Sequence, residues 1–286
     1  MTLTLPTTTD QRRWIIRYTR VDQWPLPARY PVRPATMDAV MGDIVGVSPA
    51  VAHELAAEFD QARGALAAQL LEDPSTVAQL ETLGGRDGLR VVALGDSITV
   101  DRLSWFDILA AAVHEVHRGA GPPMRNLALS GATTADLLER FDLVHAARPT
   151  HLLIMAGTND ARRHGYHVPQ QMVTIEETRR NLAALMDLCT TEIGCWTRLV
   201  TPPAVDEVRV GAAFSGQPVG WRGQDIDDVA AAVLAVDPRA IDIHAGLPVQ
   251  SRPDLLEADG IHPSAAGQLE IARVVLSHLA DDPGAG

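Results

Sequence analysis

The chain has 286 residues, 46% of them apolar and 21% charged, with a formal net charge of −12. This composition can bury a sizeable core in one large domain, or in one domain with an appendage. The acidic balance excludes a basic nucleic-acid-binding face. The absence of lysine excludes Schiff-base chemistry, serine–lysine dyads and the Gly-Lys-Ser/Thr phosphate loop.

The first stretch, MTLTLPTTTDQRRWII, has Thr and Pro where a secretory leader needs a basic head and an apolar run. The longest apolar segments, such as 229–236, are too short to span a bilayer, so the expectation is a soluble cytoplasmic protein. Pro25, Pro27, Pro31 and Pro34 then mark sequence read as irregular, with Trp14, Trp24 and Tyr30 nearby. Ser48-Pro49 looks like a cap with proline at the first helical position. Val51, Leu55, Phe59, Ala62 and Leu66 recur at helical spacing, predicting a long helix over 49–71 and a shorter one over 74–83. The punctuation LGGRDG at 83–88 closes this part. Residues 1–86 therefore read as an extension, irregular then helical, packed on a main domain over 87–286. A homodimer through the extension is the alternative use of its apolar stripe.

After residue 88 the pattern is strand, loop, helix, repeated. Apolar β-branched runs fall at 89–94, 125–129, 151–156, 197–201 and 240–244, with helical patterns filling the gaps. That alternation predicts about five parallel strands covered by helices on both faces. In such folds functional groups collect beyond the carboxyl ends of strands. Four segments meet that demand: Gly95-Asp96-Ser97 after the first strand, Gly131 after the second, Gly157-Thr158-Asn159-Asp160 after the third, and Asp259 three residues before His262 ahead of the last helix. The two cysteines, Cys189 and Cys195, read as reduced thiols rather than a disulfide framework.

These four segments, spread over about 88–280 in this order, resemble the blocks of the SGNH/GDSL hydrolase family, with Gly-Asp-Ser-Ile replacing Gly-Asp-Ser-Leu. The resemblance implies a three-layer α/β/α flavodoxin-like sandwich. It also implies a serine hydrolase that cleaves a carboxylic ester, such as an acetyl or longer acyl ester, through an acyl-serine intermediate. Ser97 would be the nucleophile, His262 its base and Asp259 the orienting carboxylate. The backbone N–H groups of Ser97 and Gly131 and the Asn159 side chain would hold the developing oxyanion. Asp96 and Asp160 read as loop-bracing carboxylates, with Asp96 also a candidate substrate contact beside the nucleophile. Arg162, Arg163, Phe214 and Trp221 lie in loops bordering the same end, as candidates to contact an anionic group or to wall the pocket.

The reading calls for a small-molecule ester or acyl substrate, no cofactor, no metal and no membrane span. Thioester hydrolysis and acyl transfer share the acyl-enzyme and stay open. Metal-dependent phosphoester hydrolysis is a distant alternative, because no Asp-x-His follows the first strand and the Asp259–His262 pair would be idle. His114 and His117 sit three apart on a predicted helix but lack a third ligand.

Overall fold

The computed structural model describes residues 6–30 and 32–280. Pro31 lies outside them, as do residues 1–5 of the N-terminal stretch and 281–286 of the main domain. Seven strands occur among the described residues: β1 (Val91–Gly95), β2 (Met124–Asn126), β3 (His151–Met155), β4 (Arg163–His164), β5 (Gln170–Gln171), β6 (Trp196–Val200) and β7 (Val219–Gly220). Four of them form a parallel sheet in the order β2-β1-β3-β6, in which Val91 pairs with Met124 on one side and His151 on the other. The two-residue strands make a separate antiparallel ribbon, β5-β4-β7.

The fifth strand expected over 240–244 shrinks to a single parallel bridge between Val200 and Ile241. Asp242 ends it: its Oδ1 accepts from the Thr201 hydroxyl and from the Ala245 N–H, turning the chain into the helical turn Ile243–Gly246. A short acidic side chain that bonds nearby backbone competes with the ladder, and here it wins.

The central strands β1 and β3 are buried on both faces, as a sheet covered by helices on each side requires. Alternate residues sort cleanly between two cores. Val91, Ala93, Leu153, Met155 and Val200 join one apolar cluster with residues of the helices Trp105–Val116 and Ala265–Ala280. Val92, Leu94, Leu152, Ile154 and Leu199 join the other, with residues of Ile175–Leu188 and Gly223–Val236.

Among the described residues five α-helices precede the sheet: α1 (Thr9–Tyr18), α2 (Pro25–Arg29), α3 (Pro34–Val45), α4 (Pro49–Leu70) and α5 (Pro74–Gly84). The stretch expected to be irregular is therefore largely helical. Pro25 and Pro34 start helices rather than break them, because they occupy first-turn positions, where no N–H is needed. α1 opens on a capping box in which Thr8 and Gln11 satisfy each other's backbone N–H groups. Ile16, Val21, Met41, Val45, Ala52 and Leu55 form a third, smaller cluster within the extension. Ala67, Leu70, Leu80 and Leu83 go instead into the main core.

Candidate active site

Asp96 leaves β1 with its Oδ1 accepting the Ile98 N–H at 3.0 Å, so Asp96 caps the helical turn Ser97–Val100. That frees the Ser97 hydroxyl from capping. Its Oγ lies 2.9 Å from His262 Nε2, across 165 residues of sequence. His262 in turn meets Asp259, whose Oδ2 is 2.5 Å from Nδ1. The other Asp259 oxygen accepts the N–H groups of Ile261 and His262 at 3.0 and 3.1 Å. Burial pushes this carboxyl up, but the His262 hydrogen bond and charge, with the two amides, outweigh it and hold it below the ordinary value. An ionised carboxylate can only accept, so Nδ1 carries the proton and the Nε2 lone pair faces Ser97. The hydroxyl then donates to the ring, the polarity a proton-abstracting imidazole requires.

The β3 loop brings the third group. Gly157 has φ +111°, and a Cβ there would stand 2.4 Å from Val229 Cγ1, so only glycine fits the turn. Asp160, fully buried, accepts the Thr134 N–H at 2.9 Å and the hydroxyls of Thr134 and Thr178 at 2.5 and 2.9 Å. Burial raises its pKa against those hydrogen bonds. The carboxylate thus ties this loop to the starts of two helices. Asn159, 4% exposed, donates one Nδ2 proton to the Ala132 carbonyl at 3.1 Å and keeps the second. The same contact draws in the loop of Gly131, which takes φ +79°.

Asp96 itself is 1% exposed, and burial pushes its carboxyl up to about 6 against the Ile98 amide and the His262 charge. Its Oδ2 is buried without a hydrogen-bond partner. The two arginines diverge. Arg163 closes a fork on Asp225, at 2.5 and 2.8 Å, and is engaged there rather than facing a ligand. Arg162 has a buried Nε with no hydrogen-bond partner, and burial lowers its pKa. Phe214 and Trp221 pack with ring centroids 5.3 Å apart and wall a cavity of about 270 Å³ that none of Ser97, His262 and Asn159 lines. Their link to the site is indirect: Trp221 Nε1 donates to the Thr158 carbonyl at 2.8 Å. A larger cavity of about 850 Å³ is lined by residues of α4 and the helix Trp105–Val116. Its charges answer each other in the pairs Arg20–Asp107 and Arg63–Asp60, and it holds none of the residues above.

Sequence reasoning missed the contribution of α1. The Tyr18 ring lies 4.4 Å from the His262 ring, and Trp14 meets the same imidazole edge-on at 5.4 Å. Arg17 clasps both Asp101 oxygens at 2.8 and 2.7 Å and reaches Glu257 at 2.6 Å. Gln268 was also passed over: its Oε1 accepts the Trp105 N–H, and its Nε2 donates to the Ile98 carbonyl and to Asp101. The capping box at Thr8 was the legible signal for α1. Nothing in the sequence pairs that helix with His262.

A family model, the GDSL-like lipase/acylhydrolase family, matches residues 93–269, more than half of the chain. The chain belongs to this family. The match of this GDSL-type esterase/acylhydrolase begins inside β1, so α1–α5 lie outside it. No curated protein matches the chain. Among solved structures, a lipase/acylhydrolase from Enterococcus faecalis aligns with a TM-score of 0.53 at 22% identity, over 69% of this chain and 100% of that one. Axe2, an acetylxylan esterase from Geobacillus stearothermophilus, aligns with a TM-score of 0.53 at 22% identity, over 69% and 96%. The acetyl xylan esterase AlAXEase aligns at 0.53 and 17%, over 66% and 99%. At these identities the likeness shows the fold: the α/β sandwich of the family, with a parallel sheet. Among the described residues no helix is long and apolar enough to cross a membrane, and no group of three or more His, Cys, Asp or Glu could hold a metal ion.

Proposed function

We propose that the protein hydrolyses carboxylic esters of small alcohols, acetyl esters among them, through an acyl-serine at Ser97. The observation that carries this reading is the continuous chain Ser97 Oγ–His262 Nε2 at 2.9 Å and His262 Nδ1–Asp259 at 2.5 Å. Ser97 Oγ attacks the ester carbonyl carbon while its proton passes to Nε2. The carbon–oxygen bond to the alcohol breaks, and the leaving oxygen takes that proton from Nε2. Water then repeats the sequence on the acyl-serine and restores the hydroxyl. Asp259 orients the ring and stabilises its cation.

Negative charge on the attacked oxygen falls to the N–H groups of Ser97 and Gly131 and the second Nδ2 proton of Asn159. Glycine at 131 supports that role, since no Cβ stands between its backbone and the oxygen. Arg162, unlike Arg163, is not engaged in an ion pair on Asp225 and keeps a buried Nε without a hydrogen-bond partner, so of the two it is the one left to meet an anionic group on the substrate. Trp221 braces the Asn159 loop through the Thr158 carbonyl, with Phe214 packed behind it. We assign Asp96 to holding the turn at Ser97 rather than to touching substrate.

Intact-protein mass spectrometry after a fluorophosphonate probe, with a panel of acetyl and longer p-nitrophenyl esters and matched thioesters, tests the reading. One adduct per chain, absent in Ser97→Ala together with turnover, is the expected outcome. Turnover that survives Ser97→Ala would refute it. The panel also ranks ester against thioester, and added alcohols report transfer.

A further inference from the structure

The imidazole of His262 is enclosed by two aromatic rings from outside the family match. Tyr18 lies against it at 4.4 Å with planes tilted by 41°, Trp14 meets its edge at 5.4 Å, and Trp14 and Tyr18 are 4.6 Å apart. The three rings form one cluster. Tyr18 is 5% exposed and is its inner member, whereas Trp14 is 39% exposed and presents aromatic surface to solvent beside His262. An exposed aromatic ring against a reactive side chain offers a flat apolar face on which a ligand ring can stack.

α1 is fixed in this place. Arg17, one residue before Tyr18, holds Asp101 in the loop after the Ser97 turn. It also holds Glu257 and the Pro263 carbonyl in the loop that carries Asp259 and His262. Arg102 Nε donates to the Ile16 carbonyl at 2.9 Å, closing the other side. The aromatic pair is therefore held over the imidazole by bonds to both halves of the site.

Proton traffic decides which half of an ester this surface meets. Under the function proposed above, His262 Nε2 returns its proton to the departing alcohol oxygen. The alcohol must therefore lie within hydrogen-bonding reach of the ring that Trp14 and Tyr18 border, with the acyl carbonyl turned away toward Gly131 and Asn159. We infer that Trp14, backed by the buried Tyr18 ring, forms the binding surface for the alcohol half of the substrate, and that it selects an alcohol carrying a flat ring face. An arene and the C–H face of a sugar ring share that chemistry, because both stack on indole.

The inference rests on the acyl-serine reading, and its test separates the two. The full chain and its Trp14→Ala and Trp14→Phe variants would be assayed by pH-stat on three acetates: ethyl acetate, 2-naphthyl acetate and a mono-acetylated methyl xyloside. For Trp14→Ala, kcat/KM should fall about tenfold more on a ring-bearing acetate than on ethyl acetate. Trp14→Phe should recover most of that preference. The loss should fall on acylation, read as the burst rate, because the acetyl-enzyme has already released its alcohol. Which ring ester loses more identifies the arene or the sugar as the better ligand, and a selective loss on either one supports the inference. Equal losses on all three esters, or none, would overturn it while leaving Ser97 chemistry standing. A wild-type chain that neither turns over acetates nor labels at Ser97 would remove the reading beneath it as well. Trp14 is exposed enough that its truncation should leave the fold intact, and matched thermal unfolding checks this.

Discussion

Asp259→Asn tests the proton path at its most constrained point. The two Asp259 oxygens have different work: Oδ1 accepts two backbone N–H groups, and Oδ2 accepts Nδ1–H at 2.5 Å. An asparagine can leave its carbonyl on the two amides, which places its NH₂ against Nδ1. Two donors cannot face each other, so the imidazole changes tautomer and its proton moves to Nε2. Nε2–H then points at Ser97 Oγ, and no lone pair remains to take the hydroxyl proton. Where an orienting carboxylate has been replaced in this way, the loss is about 10⁴-fold in turnover, or about 5.5 kcal/mol of barrier. The fold should suffer far less, about 1–2 kcal/mol, since both amides keep an acceptor of the same shape but lower charge. Asp259→Ala should cost more stability, because it strands those amides. Steady-state kinetics on p-nitrophenyl acetate with urea unfolding of both variants reads both quantities. Activity of Asp259→Asn within tenfold of the parent would refute the tautomer argument.

Asn159→Ala should lower kcat by about 10²–10³ with little change in KM, because the free Nδ2 proton is proposed to act on charge that develops after binding; a pure KM effect would contradict that role. Asp96 makes a pH prediction. Its native carboxyl sits at about 6, above the ordinary 3.8, so the folded state holds the proton longer than the unfolded state does. Stability is then fullest near and below pH 3.8 and declines as pH rises through about 6, by on the order of 3 kcal/mol. Asp96→Asn keeps the cap on Ile98 without that slope, so its gain over the parent should be larger at pH 7.5 than at pH 4.5 in urea unfolding; an equal gain at both would be contrary. Gly157→Ala should destabilise by about 2–4 kcal/mol, from a strained φ and the clash with Val229. Differential scanning calorimetry on the variant checks this, and an unchanged Tm would count against the geometry.

Much of this site was legible because its parts follow strands. Ser97, Gly131 and Asn159 follow β1, β2 and β3, where apolar runs give way to Gly, Asp, Ser, Thr and Asn. At Ser97 the local pattern alone is ambiguous, since a nucleophile and a helix cap both place a serine before an apolar run, and it is the company of the other three segments that favours the nucleophile. In the structure the cap is taken by the neighbouring residue, Asp96. The fifth strand failed for a related reason: one Asp242 side chain outcompeted a ladder that composition favoured. The helices expected over 49–71 and 74–83 are present, but the proline-rich stretch before them was misread because proline marks both irregular sequence and the first turn of a helix, and only the following residues distinguish the two. Arg17 and Gln268 were invisible because their partners lie 84 to 246 and 163 to 170 residues away.

Those two side chains explain how a contact of 2.9 Å survives between residues joined by so long a path. Asp101, wholly buried, is the shared anchor: it accepts from the Leu103 N–H, from both ends of the Arg17 fork and from Gln268. Arg17 extends from there to the His262 loop, while Gln268 extends to the Ile98 carbonyl one residue after Ser97. A buried carboxylate with so many donors is tolerable because its charge is met by a guanidinium and its lone pairs are filled. Displacing reacting groups by about 1 Å can cost about 10²-fold in rate. A site assembled from opposite ends of the chain therefore needs such braces on both sides of the Ser97–His262 contact. One brace is in the last helix and the other comes from α1, so the extension is part of what holds the hydroxyl and the imidazole 2.9 Å apart.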